Sequence, residues 1–366
     1  MTTEATSLTR ALQTLVEESI RRAGGWLPFD RFMALALYAP GLGYYANDSR
    51  KFGQMPSSGS DFVTAPEMSP LFGQALAAQV ADALAATGTD EVWEFGAGSG
   101  VLAGQLLQAL GERVRRYTIV DLSGSLRMRQ QEALAPFANR VDWASELPAA
   151  MRGVVVGNEV LDAMPVKLLA RIDGLWHERG VMAAEPAGSF TWADRPTGLR
   201  PPVDIAGSHD YLTEIHPQAE AFVRTLADRL ERGAAFFIDY GFTESEYYHV
   251  QRDMGTLMCH RGHQADSDPL PDLGQKDITA HVNFTGLALA AQEAGLPTLG
   301  YTTQARFLMN CGLLSLLEQA PLAGRVAGHR LLAEHEMGEL FKVIGFHRGE
   351  FWDAVGFREG DRSHTL

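Results

Sequence analysis

Long apolar runs are missing from this 366-residue chain. None reaches the ~20 residues that span a bilayer, so membrane insertion through helices is excluded as the reading. Cysteine is scarce: Cys259 and Cys311 are the only two, too few for a disulfide framework, and a reducing compartment fits. A basic stripe is missing as well. The formal net charge is −14, and the densest cationic group, Arg113, Arg115 and Arg116, reads as a helix end entering a strand. Such a field repels duplex nucleic acid and attracts cationic substrates, so nucleic acid is disfavoured as a partner. The first residues, Met1 to Arg22, have no basic start and no continuous apolar stretch, and they carry Glu4, Glu17 and Glu18. Neither a secretory signal nor a mitochondrial presequence is expected there, and the expected setting is a bacterial cytoplasm. Internal repeats and low-complexity tracts are also lacking.

What is present is an ordinary globular composition, 46% hydrophobic and 21% charged, in a length that fits one large domain with insertions or two smaller ones. Leu8, Leu12, Leu15, Val16 and Ile20 recur at helical spacing, and a second helix starts at Pro28 and stops at the turn Ala39-Pro40-Gly41-Leu42-Gly43. Residues 47 to 62 are polar and rich in Gly and Ser, a surface loop placed to close over a ligand. One long helix is predicted from Pro66 to about Ala86. Strands and helices then alternate: Glu91–Phe95, Val101–Leu110, Tyr117–Asp121, Gly124–Ala135 and the strand Val154–Val156. That alternation means right-handed crossovers and a parallel sheet. Between Val166 and Arg195 the period changes to that of an antiparallel meander with turns at Asp173-Gly174 and Ala187-Gly188. A helix (Pro217–Glu231) and a strong strand (Ala234–Tyr240) follow. Residues 241 to 283 read as a long polar loop on the substrate side. Helices near Phe284–Ala294 and Thr303–Leu317 and a strand Leu340–Phe346 complete the chain.

The expected architecture is therefore α/β: a Rossmann-like sheet with an N-terminal helical region and an inserted antiparallel meander and loop subdomain. In boundaries, 1–88 is the helical, cofactor-covering segment, 89–165 and 205–346 the core, 166–204 the meander, and 241–283 the loop within the core.

The stretch Glu91-Val92-Trp93-Glu94-Phe95-Gly96-Ala97-Gly98-Ser99-Gly100 carries the most chemistry. A strand runs into three alternating glycines and then a helix. Glycines allow a tight turn and a ligand closer than a Cβ would permit, and the helix N-terminus offers free N–H groups. The dinucleotide fingerprint is G-x-G-x-x-G. Here Gly96, Gly98 and Gly100 follow G-x-G-x-G spacing, with Glu94 two residues ahead, which resembles the first motif of class I methyltransferases. In that motif the loop wraps the amino-acid end of S-adenosylmethionine and the acid meets its ammonium. Asp121 ends the next strand about 20 residues on, where ribose hydroxyls are held in a Rossmann-type crevice.

Further segments identify a family. Gly59 to Gly73 (GSDFVTAPEMSPLFG), Pro40-Gly41-Leu42-Gly43-Tyr44-Tyr45 and Asn158-Glu159-Val160-Leu161-Asp162-Ala163-Met164-Pro165-Val166 resemble hallmark segments of the MidA-like methyltransferases. So do Asp239-Tyr240-Gly241, Gly255-Thr256-Leu257 and Asp277-Ile278-Thr279-Ala280-His281-Val282. The likeness runs from about residue 10 to about 345, with two departures: Asn283 stands where an aspartate is expected, and Asp121 where glutamate is common. The family includes a mitochondrial factor for respiratory complex I assembly. The resemblance implies a class I fold, S-adenosylmethionine as cofactor, and methyl transfer to a protein arginine, with symmetric dimethylation in the mitochondrial member. It also implies that the segment holding Asp61, Thr64 and Glu67 covers the cofactor. Thr64 and Glu67 have capping-box spacing too, and both roles are compatible.

Asn158, Glu159 and Asp162 emerge after the third apolar strand, at the end of the sheet where ligands of open α/β folds bind. A guanidinium stays protonated in water. A carboxylate can grip it, draw its charge from the attacking nitrogen and accept the released proton. Glu159 is the candidate for that role and Asp162 the helper; the plainer reading is that Asn158 and Asp162 cap a turn. His281 either orients the acceptor or is a structural histidine. Trp143 either stacks near the adenine or belongs to the core. Cys259, His260 and His263 have no second pair at zinc spacing, so no metal is expected. Three functions remain open: a protein-arginine methyltransferase, a small-molecule O- or N-methyltransferase with a closed apolar pocket, and a cofactor-binding assembly factor without turnover.

Overall fold

The computed structural model describes residues 3–47, 64–121 and 124–366. The loop expected at 47–62 lies, from residue 48 on, outside the described residues, as does Asp61. Contacts divide the described residues into two compact units. Those within Met1–Lys51, Asp162–Ala219 and Phe242–Asn283 form the first, and those within Phe52–Leu161, Glu220–Gly241 and Phe284–Leu366 the second. The division groups the first helices with the meander and with the 242–283 segment, where composition had set 1–88 apart.

In the first unit, helices α1 (Thr3–Arg22) and α2 (Phe29–Tyr38) flank the short strand β1 (Leu27–Pro28). The meander strands β6 (Lys167–Ile172), β7 (Leu175–Ala184) and β8 (Ser189–Pro196) pair antiparallel. A strand not anticipated from sequence, β9 (Tyr211–Ile215), pairs β6, and β1 pairs β7. Hydrogen bonds tie α1 to the β7–β8 turn: the Gln13 amide donates to the Gly188 carbonyl at 3.0 Å and the Glu17 carboxylate accepts from the Gly188 N–H at 2.6 Å. Residues 242–283 are not an open loop. A turn of helix, α8 (Glu244–Tyr247), leads into a three-stranded sheet of β11 (Met258–Arg261), β12 (Gln264–Asp266) and β13 (Asp277–Thr279), followed by β14 (Val282–Asn283). These strands are too short to show a period, which is why the stretch reads as irregular.

The second unit is a twisted sheet clothed in helices. Strands β2 (Glu91–Phe95), β3 (Arg116–Val120), β4 (Val141–Ala144), β5 (Met151–Asn158) and β10 (Leu230–Phe242) are parallel, and β16 (Phe341–Arg348) runs antiparallel between β10 and β15 (Thr298–Thr303). The order is β15-β16-β10-β5-β2-β3-β4, and the two central runs, Val154–Val156 and Ala234–Ile238, are wholly buried. Helices α4 (Pro70–Thr87) and α5 (Val101–Leu110) close one face through Phe72, Leu76, Val80, Leu102 and Leu106. The remaining helices are α3 (Ala65–Met68), α6 (Gly124–Ala133), α7 (Pro217–Arg229), α9 (Phe284–Glu293), α10 (Gln304–Asn310), α11 (Leu313–Gln319) and α12 (Leu322–Arg330).

Two expected helices are broken. The helix predicted from Pro66 to Ala86 is α3 and α4, because Pro70 forces Ser69 into an extended conformation, where its hydroxyl accepts from the Leu71 N–H at 3.3 Å. The helix predicted over Thr303–Leu317 is α10 and α11, split at Gly312, which sits at φ 87°.

Close strand approach at the sheet centre depends on glycine. A Cβ on Gly233 would lie 1.7 Å from the Gly153 carbonyl oxygen, whereas one on Gly174 in the meander turn would meet nothing. Both residues have positive φ. Chemical denaturation should therefore show Gly233→Ala losing at least ~3 kcal/mol or failing to fold, and Gly174→Ala losing only about 1 kcal/mol. Equal losses would refute the close-approach account.

Candidate functional site

The chain leaves β2 through three left-handed residues, Gly96 at φ 62°, Gly98 at 52° and Gly100 at 84°. A Cβ on Gly96 would come within 2.5 Å of a Val160 methyl, so the turn admits no larger residue there. Ser99 donates its hydroxyl to the Glu67 carboxylate at 2.9 Å. The Gln105 amide of α5 donates to the Pro66 carbonyl at 2.8 Å and accepts from the Gly73 N–H at 3.1 Å. The 65–73 segment is thus fastened to the glycine turn and its helix. Thr64 does precede α3, but its side chain makes no cap hydrogen bond, and the Glu67 carboxylate reaches Ser99. The capping-box expectation is corrected accordingly.

Glu94 sits on β2 with 2% of its surface exposed and accepts a hydrogen bond from the Tyr117 hydroxyl at 2.7 Å. Burial raises its carboxyl from the ordinary 4.5 to about 8; Tyr117 opposes the shift and Asp121 adds to it. Asp121, just past β3, accepts from the Gln130 amide at 3.0 Å. The same amide nitrogen donates to the Gly98 carbonyl at 3.0 Å, and its oxygen accepts from the Trp143 indole N–H at 3.0 Å. Trp143 lies in β4, half-buried, with the Arg127 guanidinium 5.8 Å from its ring centre.

At the end of β5 the Asn158 amide donates to the Glu159 carboxylate at 2.8 Å. Glu159 itself is left-handed at φ 53° and donates its N–H to the Ile238 carbonyl at 2.9 Å. A non-glycine residue in this region costs of order 1 kcal/mol, and such strain concentrates at functional positions. Leu161 is anchored by its N–H to the Asp239 carboxylate at 2.9 Å. The residues present fit a nucleoside carrying an amino-acid tail. The glycine turn leaves a cradle without side chains, and the Asn158 side-chain amide oxygen is buried with no hydrogen-bond partner among the described residues. All eight residues expected to hold the cofactor, Glu67, Glu94, Gly96, Gly98, Gly100, Asp121, Trp143 and Asn158, lie in the second unit, as does Glu159.

Asp162 and His281 belong to the first unit. Asp162 is 6% exposed and its carbonyl accepts from the Ala280 N–H at 2.9 Å. Near it, Tyr45 donates to the Asp277 carboxylate at 2.8 Å, and Tyr38 donates to the Ala163 carbonyl at 2.9 Å. Burial, then the Asp277 and Asp162 charges, hold the Tyr45 phenol well above its usual range. Tyr45, Asp162 and Asp277, far apart in sequence, thus contribute to one polar cluster within this unit. His281 stacks on Phe242 at 5.1 Å and donates its N–H to the Thr256 hydroxyl at 3.0 Å. Beneath it the buried Glu214 carboxylate accepts from the Thr256 N–H at 2.8 Å, the Leu257 N–H at 3.2 Å and the Tyr247 hydroxyl at 2.8 Å. His216 is held neutral, its imidazole pushed down to about 3 by burial and then by His281.

Gln130, Glu214 and His216 were not anticipated. A signal existed for the first two. Gln130 lies four residues from both Leu126 and Leu134, on a stripe that is otherwise apolar and buried, and Glu214 is an acid inside a strand. The Cys259-His260-x-x-His263 run forms β11 and the turn into β12, with the Cys259 thiol pushed up to about 12 by burial. Among the described residues no group of three or more His, Cys, Asp or Glu side chains is placed to hold a metal, and no helix is long and apolar enough to cross a membrane.

A family model for S-adenosyl-L-methionine-dependent methyltransferases matches residues 75–302. The mitochondrial protein arginine methyltransferase NDUFAF7 of Danio rerio is 28% identical, over 88% of this chain and 83% of its own. Its Caenorhabditis elegans homolog is 25% identical, over 80% of this chain and 74% of its own. A crystal structure of a COG1565 superfamily protein from Burkholderia thailandensis, bound to S-adenosyl-homocysteine, is 50% identical and superposes with a TM-score of 0.95 over 100% of this chain and 99% of that one.

The Glu94 environment has a measurable consequence. Its folded-state pKa is raised to about 8 from 4.5, so the folded protein binds the proton more tightly than the unfolded chain. Stability of the ligand-free protein should fall as pH rises from 5 to 8. In Glu94→Gln the hydrogen bond from Tyr117 is kept but nothing titrates, and that part of the decline should vanish in urea titrations across the same range. Parallel curves for the two proteins would show that Glu94 is ordinary.

Proposed function

The chain belongs to the S-adenosyl-L-methionine-dependent methyltransferase family, with its class I fold and cofactor, and from that premise we propose that it methylates an arginine on a protein. The observation that carries the acceptor is Glu159. It is a carboxylate at the carboxyl end of a central strand, held in left-handed backbone and oriented by the Asn158 amide. The names of the NDUFAF7 relatives support the same acceptor, and a net charge of −14 suits a cationic substrate.

The proposed assignment gives the cofactor's tail to the Gly96–Gly100 turn and Glu94, its ribose to Asp121, its base to Trp143, and its cover to Glu67, with Asn158 beside the reacting end. The cofactor supplies an electrophilic methyl group at a sulfonium. Glu159 grips the guanidinium, localises its charge away from the attacking nitrogen, and accepts the proton that nitrogen loses as its new bond to carbon forms. Positioning supplies much of the remaining acceleration. Asp162 and His281 are proposed as further acceptor-side groups on the chemistry of their side chains. Symmetric dimethylation, and a respiratory complex I subunit as acceptor, are the finer proposals that follow from the family.

Incubation with labelled S-adenosylmethionine and cell extract should label a protein band on arginine, and mass spectrometry of that residue reads the number of methyl groups. Label confined to small molecules defeats the arginine reading. Glu159→Gln should keep cofactor affinity within about twofold while slowing transfer ~100-fold or more. Because position 159 is left-handed, Glu159→Gly should be about 1 kcal/mol more stable than Glu159→Ala in urea; the reverse order would remove the strain argument.

A further inference from the structure

A buried amide joins three walls of the cofactor site. Gln130 of α6 is 0% exposed, and its side chain has two N–H donors and one carbonyl acceptor. One donor goes to the Gly98 carbonyl in the glycine turn, the other to the Asp121 carboxylate at the end of β3, and the oxygen accepts from the Trp143 indole in β4. These partners fix which end of the amide is nitrogen. Two acceptors face one end and a pure donor faces the other, so a flipped amide would set oxygen against oxygen and N–H against N–H. No other uncharged side chain of this length offers that combination. Glutamate would lose both donors and place a second charge against Asp121; leucine or methionine would remove the hydrogen bonds to the half-buried Asp121 carboxylate and from the Trp143 indole N–H. The closeness is built into the turn, since a Cβ on Gly100 would lie 3.4 Å from the Gln130 backbone.

We propose that Gln130 is a positioning residue for cofactor recognition. Its oxygen end anchored on the Trp143 indole, it sets the Asp121 carboxylate at a fixed distance from the glycine turn, so that the ribose enters a site that is already formed. The residue need not touch the cofactor. It acts through the orientation of the Asp121 side chain, so that less ordering is left to be done during binding. The inference rests on the proposed ribose role of Asp121, and the experiment separates the two ideas.

Calorimetry of the full chain would use two probes, S-adenosylhomocysteine and its 2′-deoxyadenosyl counterpart, which lacks one of the ribose hydroxyls. The wild type should prefer the first by at least about tenfold, the worth of a hydrogen bond to a charged group. Asp121→Asn should compress that ratio. Gln130→Leu, close in size and still folded by thermal melting, should weaken S-adenosylhomocysteine about tenfold, weaken the deoxy compound far less, and so compress the ratio as well. The double variant should be no worse than Asp121→Asn, because both act at one point. Gln130→Glu should bind S-adenosylhomocysteine more weakly still at pH 8 and recover part of the loss near pH 5, which a packing defect would not do. Should Gln130→Leu weaken both probes equally while Asp121→Asn compresses the ratio, the residue is only a packing element and the inference is overturned. Should Asp121→Asn leave the ratio intact, the ribose assignment fails and the inference falls with it.

Discussion

Three residues without a Cβ decide what the second unit can hold. The chain must reverse from a buried central strand into a helix within the span of Gly96 to Gly100, in a backbone region closed to ordinary side chains. Everything else at the site is arranged around that turn. Glu67 reaches Ser99 from one side, Gln130 reaches Gly98 from another, and Val160 fills the space that a side chain at 96 would need. A substitution in the turn would not remove one contact. It would displace the shared reference to which the acid on β2, the acid after β3 and the indole on β4 are all set.

Two buried carboxylates, Glu94 and Glu214, are handled differently. In the second unit, burial perturbs Glu94, which is kept from ionising at its normal pH. Glu214 also lies in the interior, but two backbone N–H groups and two hydroxyls converge on it, and these oppose the rise that desolvation imposes. A carboxylate with that many donors is a fastening for the 242–257 segment. One with a single phenol, as at position 94, keeps capacity for a cationic group.

Much of the fold could be read from the chain. The parallel strands stand out as apolar runs because both their faces are covered, and the meander stands out because its turns carry Asp-Gly and Ala-Gly pairs. The glycine spacing, with acids at 94 and 121, pointed to the right cofactor because close approach and charge placement leave marks in residue type. What escaped notice depends on tertiary contact. A proline inside an apolar helical pattern hid the break at Ser69, and a glycine hid the one at Gly312. The strands between 258 and 279 are three or four residues each and owe their form to one another. Gln130 looked like one of several polar residues on α6; its spacing from Leu126 and Leu134 puts it on the apolar face, but its partner at Gly98 is visible only in the structure.

The placement of β16 bears on how the protein comes off the ribosome. This strand, residues 341–348, follows both of its partners in the chain, yet it lies between them, paired on one side with β10 and on the other with β15. Until it emerges, the exposed rim of β10 and the whole of β15 await a common neighbour, and the long sequence separation makes that closure slow. Nascent chains of this protein therefore carry an open, apolar β-edge on β10 from about residue 242 until residues 341–348 have been made, and β16 is the piece that seals it.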